Sequence, residues 1–234
     1  MDLVLGPSES SDDNLHGIKR SYGAYIILKN LSRTEQLRKF SAQMPEFQKS
    51  LPCKDEYKTF VPSTESVIYA GDALYYAGAA NCGIKDIAIS LPFDVKVQAE
   101  KGTRSILMQN VINSKFNGIL VPTADLVICD KDREHVNDRA FFWNVAFREV
   151  AHGLGVKTTL DGRSVNAALD NLASLVEEVK ALSMGTFLSS SVIAKFETNE
   201  IVTKEDSYAT FLTALLRSAR FGNTEVVGRA NIIC

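Results

Sequence analysis

The sequence predicts a helix-rich α+β fold, and three patterns lead to this prediction. Residues 22–28 alternate in character and are rich in β-branched and aromatic side chains, which is typical of a strand. Residues 84–91 form a mainly apolar stretch that ends at Pro92, as expected of a buried strand. The second half of the chain carries long segments in which apolar residues recur at helical spacing. We therefore expect a small sheet early in the chain and mainly helices after it.

The first half is expected to contain short elements. A short N-terminal strand precedes a polar run at residues 8–14. The tetrapeptide Ser32-Arg33-Thr34-Glu35 fits a capping box, so we expect a helix from there to about residue 43. Residues 103–128 have a helical period throughout, and Pro122 predicts a kink in that helix.

Three longer helices are expected in the second half. The first covers about residues 138–152 and is apolar on most sides, so it should be central to the fold. Gly153 directly follows it and is expected to end it. The second covers about residues 165–184, and the third about residues 203–222.

Composition limits the class of protein. The chain has 234 residues, of which 45% are hydrophobic and 23% are charged, as in ordinary globular proteins. We expect a single domain over residues 1–234, with a mixed part at 1–95 and a helical part at 96–234. The net charge is −2 and the basic residues are dispersed, so no nucleic acid or anionic membrane is expected as a partner. No apolar run approaches the ~20 residues that span a bilayer, and no secretory signal is visible. Four scattered cysteines favour reduced thiols in the cytoplasm.

The most informative motif lies at the end of the first long helix. It reads Arg148-Glu149-Val150-Ala151-His152, where a zinc peptidase would have His-Glu-x-x-His. In the zinc motif, two imidazoles one helical turn apart bind the metal and the Glu acts as general base. The guanidinium of Arg148 is always protonated and has no lone pair for a metal. The motif therefore keeps a base and one ligand and lacks the other ligand.

The next long helix carries the pair Glu177-Glu178 about 25 residues after His152. A Glu from a later helix completes the zinc shell in some peptidases, so this spacing favours a shared site. The alternative is that Glu177 and Glu178 lie on a solvated helix face.

With these motifs the chain resembles the dipeptidyl peptidase III family of zinc metallopeptidases. In plants, this module can follow a Nudix domain. Two matching stretches are Glu149-Val150-Ala151-His152-Gly153-Leu154-Gly155 and Glu177-Glu178-x-Lys180-Ala181. The others are residues 6–9, 70–72, 87–92 and 216–222, in family order. The resemblance implies a fold derived from the helical zinc-bearing lobe, with a small remnant sheet. It also implies a truncated chain, because the family protein is more than twice as long.

The resemblance also implies roles for single residues. His152 and Glu178 match two zinc ligands of the family, and Arg148 stands at the first ligand position. Glu9 matches a group that grips the peptide's N-terminus, whereas Ser90 and Phe93 replace two asparagines that bind the peptide backbone. Losses at metal and peptide positions together indicate a changed function. We therefore expect no metal or other cofactor and treat His152 and Glu178 as relic ligand positions.

These residues lead to a structural hypothesis. We expect the Arg148 guanidinium to form a bidentate pair with Glu178 or Glu177 and so to neutralise the former metal site. Glu149 and His152, with Arg148 to steady an anion, could then act as a metal-free acid–base pair. The alternative is a passive remnant, in which Glu149 pairs with Arg148 and His152 hydrogen-bonds a neighbour.

Three functions follow from this hypothesis. The first is a repurposed enzyme that acts on a small organic molecule as an isomerase, epimerase, cyclase or lyase. Phe93, Tyr75, Tyr76 and Trp143 would make its cleft more apolar, although each aromatic is individually more typical of a core. The second is a non-catalytic ligand- or partner-binding pseudo-peptidase, and the third is a residual zinc dipeptidyl peptidase. Oligomeric state stays open; a homodimer would cover apolar surface exposed by truncation.

Overall fold

We describe the protein from a computed structural model. It describes residues 1–13, 17–58, 67–91, 104–192 and 202–234. The chain divides into two compact units. The first comprises Met1–Ser41 and Glu65–Asn113, and the second comprises Ala42–Thr64 and Ser114–Cys234. The expected subdivision of one domain at residue 95 stays a prediction.

The first unit is built on a five-stranded sheet with the order β1-β2-β3-β5-β4. Its strands are β1 (Asp2–Asp13), β2 (Gly17–Asn30), β3 (Val67–Gly78), β4 (Ala88–Leu91) and β5 (Arg104–Met108). All neighbouring strands are antiparallel except β3 and β5, which are parallel. The helix α1 (Leu31–Ser41) follows β2 and buries Leu37 and Phe40. The hydroxyl of Thr34 in α1 hydrogen-bonds both Ala70 O and Ala70 N in β3, which ties the helix to the sheet.

Two sequence expectations for this unit need correction. Residues 104–108 form β5 and not the start of a helix, because they pair with β3 on one side and β4 on the other. Ser105 to Met108 are all buried, and a strand covered on both faces shows no alternation that separates it from a buried helix. The strand expected at 84–91 is shorter, because only Ala88–Leu91 pair with β5.

The described part of the second unit is helical. Its helices are α2 (Met44–Ser50), α4 (Val121–Val127), α5 (Asp130–Arg133), α6 (Asp138–His152), α7 (Val165–Leu169), α8 (Ala173–Val192), α9 (Lys204–Ala219) and α10 (Val226–Ile233). The helix α3 (Gln109–Lys115) lies between α2 and α4 in the chain, and the boundary of the two units falls within it. A π-helical turn, Phe116–Leu120, leads directly into α4. Pro122 stands in the first turn of α4, and the wide turn before it accommodates the missing N–H at the position where a kink is predicted.

The helix expected at 165–184 is interrupted. It consists of α7, a 3₁₀ turn at Asp170–Leu172, and α8. Asp170 has φ +48°, a left-handed conformation that ends an α-helix. The expected third helix begins with a complete capping box between Thr203 and Asp206 and ends earlier than expected, at Ala219.

The helix α6 is central to the second unit, as its sequence predicts. Asn137 caps it by accepting a hydrogen bond from the backbone N–H of Ala140 at 2.9 Å. Trp143 and Phe147 are fully buried, so Trp143 belongs to the core. Gly185 of α8 lies against α6, where an added Cβ would stand 2.8 Å from the backbone N and Cα of Arg148. This close approach fixes the spacing of α6 and α8.

The observed fold confirms the helix-rich α+β prediction. Within the described residues, none of the helices combines the length and apolar character needed to cross a bilayer.

Candidate functional site

The site is organised around Arg148, near the C-terminal end of α6. Its Nη1 donates to Glu149 Oε1 at 2.7 Å, and its Nη2 donates to Glu178 Oε2 of α8 at 2.6 Å. The predicted pairing with Glu178 is confirmed. The predicted bidentate geometry is wrong, because the two nitrogens of the guanidinium fork bind two different carboxylates. Arg148 therefore bridges two acids and joins α6 to α8.

This bridge is largely removed from solvent. The side chain of Glu149 is 6% exposed, that of Glu178 is 20% exposed and that of Arg148 is 26% exposed. Burial by itself would lower the pKa of Arg148, but the charges of Glu149 and Glu178 outweigh it and raise that pKa. The guanidinium is thus a permanent cation at this place.

A second set of contacts surrounds Glu177. His152 Nδ1 lies 3.1 Å from Glu177 Oε1, and Lys180 Nζ lies 2.8 Å from the same carboxylate. Burial alone would raise the pKa of Glu177; the hydrogen bond with His152 and the charges of Lys180 and Lys157 outweigh it and lower the pKa to about 2. Glu177 is therefore a carboxylate at any physiological pH.

Two lysines meet the backbone where α6 ends. Lys157 Nζ donates to His152 O at 2.8 Å, and Lys180 Nζ donates to Leu154 O at 2.8 Å. Cations are favoured at helix C-termini, where carbonyl oxygens lack partners. Burial and the charge of Lys157 lower the pKa of Lys180 to about 8 despite its contact with Glu177.

The charges of the side chains in this site balance one another. The three carboxylates Glu149, Glu177 and Glu178 are matched by three cations, Arg148, Lys157 and Lys180. A zinc ion there would add two further positive charges beside a fixed guanidinium.

The ligand chemistry at that position also disagrees with zinc. His152 Nε2 and Glu178 Oε1 are 3.8 Å apart, close to the roughly 3.4 Å between two ligands of a tetrahedral zinc ion. A zinc site needs a third protein ligand, and the guanidinium of Arg148, which binds Glu178, has no lone pair to supply one. Among the residues that the structure describes, no three His, Cys, Asp or Glu side chains are grouped so that they could hold a metal. The residues present do not fit a zinc site.

The structure places the predicted binding residues unevenly. Arg148, Glu149, His152, Glu177 and Glu178 come together in the second unit, as described above. The remaining predicted residues that are described, Tyr75, Tyr76 and Ser90, lie in the sheet of the first unit. Their grouping with the others in a common cleft stays a prediction.

Local contacts account for two of these three residues. Tyr76 packs edge-to-face on Tyr25 with ring centroids 5.6 Å apart, and Ser90 Oγ lies 2.8 Å from Ser105 Oγ. Tyr75 is exposed. The side chain of Glu9, which is in β1, and all of Phe93 lie outside the described residues.

A cavity of about 360 Å³ opens next to the ion pairs within the second unit. It is lined mainly by apolar residues of α7, α8 and residues 51–53, together with Glu177 and Lys180. Lys180 is not among the residues predicted to form the site, although it lies three residues after Glu177 in the matching stretch and so shares a helix face with it. That spacing was the available signal.

Comparisons with known proteins agree with this architecture. No model of a known protein family matches the chain. The chain is 30% identical over 237 residues to Nudix hydrolase 3 of Arabidopsis thaliana, a match that spans 100% of the chain and 30% of that protein. The solved structure of DPP III from Caldithrix abyssi superposes with a TM-score of 0.89 at 31% identity, covering 98% of the chain and 44% of that protein. Dipeptidyl-peptidase III from Corallococcus sp. strain EGB gives a TM-score of 0.84 at 32% identity, covering 98% and 43%.

In fold and in sequence the chain therefore resembles dipeptidyl peptidase III proteins. The resemblance predicted from the motifs is confirmed over nearly the whole chain, including the link to a plant Nudix protein. The chain spans less than half the length of each of these relatives.

Proposed function

We propose that this chain is a metal-independent relative of dipeptidyl peptidase III that binds a small organic molecule and does not hydrolyse peptides. The observation that carries the proposal is the position of Arg148 between Glu149 and Glu178. A fixed cation there supplies the charge compensation that a metal would otherwise provide, and it removes one ligand at the same time. The adjacent apolar cavity supplies a place for the molecule.

The contacts favour binding over acid–base chemistry at this site. Both contacts of the passive alternative are present, since Glu149 pairs with Arg148 and His152 hydrogen-bonds Glu177. A general base must reach the proton that it removes, and the carboxylate of Glu149 is 6% exposed and bound to a guanidinium. Glu149 is thus poorly placed to act on a bound substrate.

A second candidate function is an acid–base enzyme of the isomerase, epimerase, cyclase or lyase type that uses His152. Its support is the His152–Glu177 hydrogen bond, because a carboxylate on one ring nitrogen orients an imidazole. The His152 side chain is 27% exposed, so solvent and small molecules reach it. This candidate predicts conversion of a bound ligand that persists with a chelator present and is lost in His152→Ala.

Metal content tests the first proposal directly. We expect the purified protein to contain substoichiometric zinc by plasma mass spectrometry and to release no N-terminal dipeptides from a peptide substrate. Arg148→His rebuilds the His-Glu-x-x-His motif and should bring zinc close to one per chain, because His152 and Glu178 are already near ligand spacing. Arg148→Lys is the matched control, since it keeps the positive charge and should not recruit zinc.

Stoichiometric zinc in the unaltered protein would overturn the proposal and support the residual zinc dipeptidyl peptidase instead. Conversion of a bound ligand by the unaltered protein would favour the acid–base enzyme over the non-catalytic binding protein. Three further expectations stay predictions: the absence of nucleic-acid and membrane partners, the cytoplasmic location and the homodimer. Sedimentation analysis would test whether the protein is a homodimer.

A further inference from the structure

The cavity beside the ion pairs has the size of a small-molecule site. Its volume is about 360 Å³, within the range of roughly 300–1,000 Å³ typical of ligand pockets. At about 30 Å³ for each water-sized atom, this volume holds about a dozen non-hydrogen atoms. A ligand of that size is a short-chain or single-ring molecule, no larger than a small dipeptide.

Most of its wall is aliphatic. Leu51, Pro52, Val156, Leu169, Val176 and Met184 are among the lining residues. Three separate stretches of the second unit contribute them, namely the segment after α2, the loop after α6, and the pair α7 and α8. An apolar wall of this kind favours a hydrocarbon or aromatic body, which gains free energy as it leaves water.

One end of the cavity is charged. Among the described lining residues, Glu177 contributes a carboxylate and Lys180 contributes an ammonium group. Lys180 Nζ donates to Leu154 O and to Glu177, with Nζ 2.8 Å from each carboxylate oxygen of Glu177. Glu177 already contacts His152 and Lys180, and the positive charge of Lys157 also stabilises its carboxylate.

The charges at this end favour an anion over a cation. Lys157 and Lys180 bring two positive charges to the vicinity of one carboxylate, Glu177. A ligand amine would add a third positive charge and compete for an acceptor that is already engaged. A ligand carboxylate beside Lys180 would instead balance the second ammonium group.

We propose that this cavity binds a small carboxylic acid with an apolar body of about a dozen non-hydrogen atoms, whose carboxylate pairs with Lys180. The inference deepens the proposed function, on which it rests, by naming the class of ligand. It requires no metal and no chemical step.

Three ligands with ten carbons each test the inference by isothermal titration calorimetry: decanoic acid, decan-1-ol and decylamine. The acid should bind saturably at one site and more tightly than the alcohol. A charged hydrogen bond of about 1.5–3 kcal/mol corresponds to roughly 10–100-fold in affinity. Equal affinity for acid and alcohol, preference for the amine, or no saturable binding of the acid would each overturn the proposal.

Variants locate the contact. Lys180→Met keeps the volume and removes the charge, so it should abolish the preference for acid over alcohol. Lys204→Met, at an exposed position in the first turn of α9, is the matched control and should change nothing. Ala173→Phe adds bulk to the lining and should weaken binding of both ligands. Unaltered acid binding in Lys180→Met would contradict the assigned pairing, and the comparison of ligands on the unaltered protein decides the case if that variant does not fold.

Thiol labelling reports the site independently. Cys53 lines the cavity, whereas Cys82, Cys129 and Cys234 are not among its lining residues. Decanoic acid should slow the reaction of Cys53 with a maleimide and leave the other three rates unchanged, as read by peptide mass spectrometry. Unchanged labelling of Cys53 at saturating acid would place the ligand elsewhere. None of these readouts depends on zinc content, so failure here and failure of the metal-free proposal are distinguishable.

Discussion

Replacing Arg148 by methionine removes the cation from between Glu149 and Glu178 while keeping a side chain of similar length. The substitution removes two charge-assisted hydrogen bonds, of 2.7 and 2.6 Å, each contributing about 1.5–3 kcal/mol. Breaking a buried ion pair by removing one partner costs about 3–5 kcal/mol. Because the Arg148 side chain is 26% exposed, water compensates part of this cost. We expect the free energy of unfolding to fall by about 2–4 kcal/mol.

Urea denaturation followed by circular dichroism measures this loss, and thermal unfolding should show a drop of roughly 5–15 °C. The double variant Arg148→Met/Glu178→Gln provides the internal control, because it also removes one of the two facing carboxylates. It should lose less stability than the sum of the two single variants, since partners that interact are not additive. A loss below about 1 kcal/mol in Arg148→Met, or full additivity in the double variant, would refute the view that the guanidinium neutralises this site.

Three further expectations concern the frame around the site. Gly185→Ala should destabilise the protein by about 1–3 kcal/mol, because the new Cβ would lie 2.8 Å from the α6 backbone. Gly118→Ala is the control, because a Cβ added there would have no atom within 4 Å. Equal losses of stability in the two variants would contradict the close approach of α6 and α8. His135 has a pKa raised above 6.5, chiefly by its hydrogen bond to Asp206, so it contributes stability below about pH 6.5 that is lost as the pH rises through the folded-state value. Unfolding free energies measured on either side of that window should differ in the parent and not in His135→Gln. Thr203→Ala removes the cap of α9 and should lower stability by about 1 kcal/mol in the same assay, whereas an unchanged midpoint would show that the capping box is dispensable.

The candidate site was partly readable from the sequence because part of it is local. Arg148 and His152 are four residues apart on one helix, so their shared face follows from helix geometry alone. The partners of that face are not local. Glu178 is 30 residues from Arg148, and which carboxylate each guanidinium nitrogen binds depends on how closely α8 approaches α6.

The strand β5 shows the opposite limit. Its residues carry a buried apolar run that fits a helix or a strand equally well, and only pairing with β3 and β4 selects the strand. Likewise, the break between α7 and α8 depends on the positive φ of Asp170, which the apolar spacing of this segment does not indicate.

By itself, the sequence determined the helix-rich α+β class, the central helix α6 and the Arg-Glu-x-x-His pattern at its end, because helical spacing, caps and side-chain chemistry are local properties. Only the tertiary structure decided that Arg148 bridges two acids, that Lys180 meets Glu177 at the end of a cavity, and that residues 104–108 form a strand. These features depend on contacts between elements that are distant in the chain or on the exact path of the backbone. Such contacts depend on how closely the helices and strands pack, which no single segment specifies.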